Sequence, residues 1–171
     1  MTLNMMYGFA LILNKGYVRG LQRMAFDVKF YTPTGRYDFL SNFYYSPFQL
    51  NGKLYVSAEH YYRTMQVQYG GYAPVYELDA NGHYVFVRDS RDLPFYEVWE
   101  SMRDATMLDG LMAKFTQHPD LKIRLLNTVG IDLVEFSPDQ YWSIGKRNRG
   151  KNRLGQLLME VRDFFLTEKF S

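Results

Sequence analysis

At 171 residues the chain is long enough for one domain that buries roughly two thirds of its unfolded surface, with no need of a covalent or metal staple. It has no cysteine, which excludes disulfides, thiolate metal ligands and a cysteine nucleophile and fits an intracellular setting. The balance of 20 Lys+Arg against 18 Asp+Glu leaves a formal charge of +2, which gives no sign of a general nucleic-acid binder.

Residues 1–25 read as an N-terminal extension to a domain of residues 26–171. The apolar stretch Met5–Leu13 is too short to span a bilayer, and it lacks both a basic segment before it and a small-residue cleavage site after it. The expectation is therefore a cytoplasmic protein with no membrane partner. Within the extension, Tyr7–Leu13 is strand-like and turned by Asn14-Lys15-Gly16. The domain proper begins with a strand at Phe26–Tyr31, a turn at Pro33-Thr34-Gly35 and the tract Tyr37–Phe43. A hairpin follows, Phe48–Leu50 with Lys53–Val56, because Asn51-Gly52 supplies two residues that tolerate positive φ. Ser57 then caps a helix that carries Tyr61, Tyr62 and Met65 inward and ends at Gly70-Gly71.

A second hairpin is expected from Tyr76–Leu78 and His83–Val87 around Asp79-Ala80-Asn81-Gly82. The spacing of Val98, Met102, Ala105, Leu108, Leu111, Met112 and Phe115 predicts a long helix over about 94–115, with Gly110 weakening it. Pro119 starts a short helix to Leu126, and Leu133–Phe136 returns as a strand before the turn Ser137-Pro138-Asp139. The last helix buries Leu154, Leu157, Leu158, Val161, Phe164 and Phe165, with Asn152 as its N-cap. The sum is one α+β domain, mainly helical, with small β-hairpin elements.

The tract before that last helix gathers Lys146, Arg147, Arg149, Lys151 and Arg153 on a loop bent by Gly145 and Gly150. A helix start with free N–H groups is an anion seat, and Tyr141 or Trp142 beside it can stack a flat ring. The plainer reading is a solvated cationic loop. Glu59, in the first turn after Ser57, is favoured as an anion by the helix field. It is either a charge partner of that helix or the carboxylate of a reaction that develops positive charge, such as cleavage of a glycosidic C–N bond. Trp99 and Trp142 are core residues or the two sides of a ring-binding slot. With three His and no metal-ligand spacing among them, a zinc hydrolase is not indicated.

Taken in order, FLSNF at Phe39–Phe43, SAEHYY at Ser57–Tyr62, WESMRDATMLDGLMAKF at Trp99–Phe115, LVEFSPDQYW at Leu133–Trp142 and GKNRLGQLLMEVR at Gly150–Arg162 resemble the NADAR superfamily, the YbiA-like proteins. The resemblance runs from about Asp27 to Leu166 and implies a largely helical α+β domain. It implies Glu59 and Asn42 as catalytic residues. It further implies Ser41, Arg88, Asp89, Trp99, Arg103, Tyr141, Trp142, Gly145, Arg149, Lys151 and Asn152 as substrate-binding residues. No metal and no cofactor are implied, since Arg and Lys can meet the charge of phosphates.

The chain departs from that family's pattern at Met65-Gln66-Val67, where a lysine is common, at Ile144, where some relatives carry aspartate, and between Gly70 and Arg88, where a hairpin replaces a helix. Family activities are N-glycosidic cleavage of ribosylated riboflavin-pathway intermediates and removal of ADP-ribose from guanine in nucleic acid. The expectation is an N-glycosidase-like hydrolase acting on ADP-ribosylated guanine or a related nucleotide conjugate. Its partners would be an ADP-ribose-like or phosphoribosyl small molecule, or ADP-ribosylated nucleic acid. The alternatives are a hydrolase of riboflavin-pathway intermediates, a non-catalytic ADP-ribose or nucleotide binder, and an interaction protein whose tyrosines mark a partner surface.

Overall fold

The computed structural model describes residues 27–31, 35–70, 75–78, 84–88 and 96–168. The expected strand at 7–13, the turn residues 33–34 and 79–82, and Asp89 lie outside these. In chain order the elements are β1 (Asp27–Phe30), a single 3-10 turn (Asp38–Leu40), β2 (Phe48–Leu50), β3 (Lys53–Tyr55), α1 (Ala58–Gly70), β4 (Val75–Leu78) and β5 (Tyr84–Arg88), then α2 (Tyr96–Gln117), α3 (Pro119–Leu126), β6 (Asp132–Glu135) and α4 (Arg153–Glu168). Among the described residues the strands form two-stranded units, so the helices carry the architecture, and the class is the mainly helical α+β expected.

Local chemistry explains most of these elements. In the β2–β3 hairpin Phe48 faces Tyr55 and Leu50 faces Lys53, and the connecting Asn51 and Gly52 take φ of 51° and 74°. Positive φ at both turn residues matches the right-handed twist of the strands. Ser57 Oγ accepts the His60 N–H at 3.1 Å, so one of the four unpaired donors at the start of α1 is satisfied. Strands β4 and β5 pair antiparallel, with a register irregularity between Val75 and Tyr76.

Strands β1 and β6 pair in parallel, from Asp27 with Asp132 to Phe30 with Glu135. Each is four residues long, and α4 packs against β6.

The core lies between α1, α2 and α4. Leu111, Leu125, Leu133, Leu154, Leu158 and Val161 are fully buried, each adding about 1.5–3 kcal/mol relative to an exposed position. Helix α2 runs unbroken through Gly110, which is a contact residue: a Cβ there would stand 3.0 Å from Tyr61 Cδ1 and 3.6 Å from the Ala58 carbonyl oxygen of α1. Its buried face is Trp99, Met107, Leu111, Lys114 and Phe115, whereas Val98 and Ala105, expected inside, are exposed. The apolar spacing misled because a lysine and a tryptophan hold places on the inward stripe. Phe164 is likewise exposed while its neighbour Phe165 is buried, since adjacent helical residues point about 100° apart. No helix among the described residues is long and apolar enough to cross a membrane.

Candidate active site

Asn42 and Glu59 meet through two hydrogen bonds that join the loop after the 3-10 turn to the first turn of α1. The Asn42 carbonyl accepts the Glu59 N–H at 2.9 Å, and Asn42 Nδ2 donates to Glu59 Oε2 at 2.6 Å. The other carboxylate oxygen, Oε1, accepts from Arg63 Nε at 2.6 Å, one helical turn on. Arg63 in turn donates to Gln66 Oε1 at 2.8 Å. Glu59 is thus a buried carboxylate with both oxygens held by donors, and Gln66 orients the arginine that holds it. The loop is anchored from α2: Lys114, fully buried, donates to the carbonyls of Phe39 at 2.7 Å and Ser41 at 2.9 Å. Burial drives the Lys114 ammonium down to about 7, with Asp38 opposing and Arg124 assisting.

From Glu59 an aromatic series runs along the helices. Tyr62, on the same side of α1, packs edge-on against Trp99 with centroids 4.9 Å apart and against Trp142 at 5.3 Å, and Trp142 packs on Tyr141 at 5.1 Å. Burial and the Glu59 charge push the Tyr62 phenol up, against the opposing effects of Arg63, Arg103 and a hydrogen bond with Trp99. The Arg103 guanidinium stacks 3.3 Å from the centre of the Tyr141 ring, and Lys151 Nζ lies 4.9 Å from it. Tyr141 donates its hydroxyl to Asp104 at 2.6 Å, and Asp104 also accepts from Arg153 Nε at 2.6 Å. Burial and that acceptor raise the Tyr141 phenol despite Arg103.

The segment 136–152 between β6 and α4 is closed by its own backbone. Asp139 Oδ1 accepts the N–H groups of Tyr141 and Trp142, both at 2.7 Å. The buried Ser143 hydroxyl accepts from the Ser137 and Gly145 N–H groups and lies 2.9 Å from the carbonyl oxygens of Glu135 and Ser137. Gly150 sits so close to Ser143 that a Cβ would run into its carbonyl oxygen, and it donates to the Ile144 carbonyl at 2.7 Å. Asn152, at φ 53°, sets its amide against β6: Oδ1 accepts the Glu135 N–H and Nδ2 donates to the Leu133 carbonyl, both at 2.9 Å.

Several expectations need correction. Asn152 stands at the cap position of α4, but its side chain serves β6 and not the helix. The start of α4 is not an open anion seat, because the Arg153 and Leu154 N–H groups donate to the carbonyls of Tyr141 and Trp142. Arg153 is held by Asp104 and Glu160, leaving Lys146, Arg147, Arg149 and Lys151 as the exposed cations of the loop. Trp99 is only 2% exposed and belongs to the core. It offers no open face for a ring and supports Tyr62 instead.

The structure joins Asn42 to Glu59, brings Tyr141, Trp142, Arg103 and Lys151 together, and links the two groups through Tyr62. Ser41 and Gly145 are buried in the flanking loops and Arg149 is exposed. Arg88 ends β5, and Asp89 lies outside the described residues.

Glu135 escaped the reading of the sequence. Its backbone is gripped by Asn152 and Ile144, its side chain is buried, and its Oε2 has no hydrogen-bond partner among the described residues. Burial pushes its carboxyl up to about 7; Asp139 and Glu59 add to the rise and a Ser137 hydrogen bond opposes it. The available signal was the alternation of the strand, which puts Glu135 in phase with buried Leu133.

Comparison with known proteins bears on the whole of this region. A family model for the NADAR domain matches residues 29–166. N-glycosidase YbiA of Escherichia coli strain K12 is 36% identical over 145 residues, spanning 83% of this chain and 90% of that protein. A riboflavin biosynthesis protein of Vibrio vulnificus is 33% identical over 141 residues, 80% of this chain and 38% of that longer protein. The NMR structure of E. coli YbiA superposes with a TM-score of 0.66 at 34% identity, covering 85% of this chain and 88% of that one. With this match along nearly the whole described length, the chain belongs to the NADAR family.

Proposed function

We propose that this protein is an N-glycosidase that hydrolyses the bond between a base-like ring nitrogen and C1 of a phosphorylated ribose, with ADP-ribosylated guanine or a related nucleotide conjugate as substrate. The glycosidase class is supported by the YbiA relatives. The observation that carries the chemistry is the Glu59 carboxylate, locked between Asn42 and Arg63 beside the Tyr62–Trp142–Tyr141 series. As the C1–N bond lengthens, the sugar gains oxocarbenium character, and a fixed carboxylate stabilises that charge with no reorganisation at the moment of reaction. A base-like ring suits Trp142 and Tyr141, and the exposed Lys146, Arg147, Arg149 and Lys151 suit phosphates. A second substrate, a ribosylated intermediate of riboflavin synthesis, is favoured by the relatives named as riboflavin biosynthesis proteins.

Glu59→Gln tests the assignment, since it keeps shape and most hydrogen bonding but removes the negative charge. It is expected to cut the rate by about 100-fold or more and leave ligand affinity nearly intact. Chromatography of products from ADP-ribosyl-guanosine and a phosphoribosyl flavin precursor reads the outcome. Equal hydrolysis by both proteins would remove Glu59 from the mechanism. Tight binding with no hydrolysis by the wild type would make the protein a nucleotide-binding module.

A further inference from the structure

The geometry points to Glu135 as the group that protonates the leaving ring nitrogen, a role that rests on the hydrolysis proposed above. Glu59 cannot take both parts. Its two oxygens already accept from Asn42 and Arg63, so it is arranged as an anion and not as an acid. Glu135 is arranged in the opposite way. Among the described residues no cation forms an ion pair with it, and its buried Oε2 has no hydrogen-bond partner. A buried polar atom left unpaired is costly and uncommon, and a ligand nitrogen would supply the missing acceptor for its proton.

Its placement fits. Strand pairing with Phe30 fixes the Glu135 backbone on one side, and Asn152 and Ile144 fix it on the other, at the root of the loop that presents Tyr141 and Trp142. The charged groups acting on it are Asp139 of that loop and Glu59 of α1, both negative, with the Ser137 hydroxyl as a hydrogen-bond donor. Burial and these two carboxylates hold its proton to about pH 7. A carboxylate gripped by Asn42 and Arg63 and a buried carboxyl without such donors divide the roles of charge stabiliser and acid.

In the step, the C1–N bond breaks with its electron pair going to nitrogen, which takes the Glu135 proton. Water forms the new C1–O bond and loses its proton to solvent, from which Glu135 takes one back, while Glu59 stabilises the positive charge throughout.

The test compares wild type, Glu135→Gln and Glu59→Gln on two probes. ADP-ribosyl-guanosine has a leaving nitrogen that needs a proton, whereas the 5-phosphate of 4-nitrophenyl β-D-ribofuranoside releases a nitrophenolate that does not. For E135Q, kcat on the first probe is expected to fall about 100-fold or more with KM little changed, and on the second by less than about fivefold. The wild-type rate on the first probe should decline above about pH 7, and E135Q should lose that decline. Turnover of the nitrophenyl probe doubles as proof that E135Q is folded, and E59Q should lose both activities. Equal losses by E135Q on both probes, or an unchanged pH profile, would overturn the proton-donor role and leave the glycosidase reading standing. A wild type inert toward both probes would overturn that reading and the role together.

Discussion

Two buried ionisable side chains bear opposite costs that meet near neutral pH. Glu135 moves from 4.5 to about 7 on folding, so between these values the folded state holds more protons than the unfolded one and stability falls as pH rises. Its cost is absent below 4.5 and complete above about 7. Lys114 moves from 10.5 to about 7, so between those values the unfolded state holds more protons and stability rises with pH. Urea titration should show E135Q gaining on the wild type from pH 5 to pH 8, approaching about 3 kcal/mol. Lys114→Met removes the donor to Phe39 and Ser41, and its deficit should widen from pH 6 to pH 9, where the wild-type amine is neutral and still donates. A constant deficit would mean that Lys114 does not titrate in this window.

At the scale of elements, the loop between β6 and α4 is the vulnerable piece. Gly150→Ala drives a methyl group into the Ser143 carbonyl and the Ile144 backbone, so it should lower Tm by several degrees and weaken binding of ADP-ribose. If the proposed phosphate contacts are made by the exposed Arg149 and Lys151, replacing both by Ala should reduce affinity and its salt dependence while sparing Tm; calorimetry at two salt concentrations decides.

The sequence spelled out the elements whose cause is local: Asn51-Gly52 for the hairpin, Ser57 for the start of α1, Pro119 for α3. It was silent on the β1–β6 pair, because strands of four residues carry no mark of the distant partner that completes them. It misplaced the inward face of α2 because Lys114 reads as solvent-facing until the Phe39 and Ser41 carbonyls are seen around its ammonium. The site was legible in proportion to how local it is. Glu59 announces itself by its place just after Ser57, whereas Glu135, though inside the block Leu133–Trp142 and in phase with Leu133, becomes conspicuous once burial leaves its Oε2 without a partner among the described residues.

For the whole molecule, the parallel strand pair has a consequence in time. Every rung of β1 with β6 joins residues 105 positions apart, as Asp27 with Asp132. Closing so long a loop costs entropy before the contact rewards it, which makes such pairings late events in folding. The Asn42–Glu59 pair, 17 residues apart, is cheap by comparison and can form while synthesis is still under way. A nascent chain that has reached only α3 would therefore own the charge stabiliser but not Trp142 or Glu135, which arrive with the last fifth or so of the polypeptide. The glycosidic cleavage proposed above would thus be withheld from every unfinished copy, and pulse-labelled refolding should show catalytic competence appearing with protection of the β6 amides and not with the earlier formation of α1.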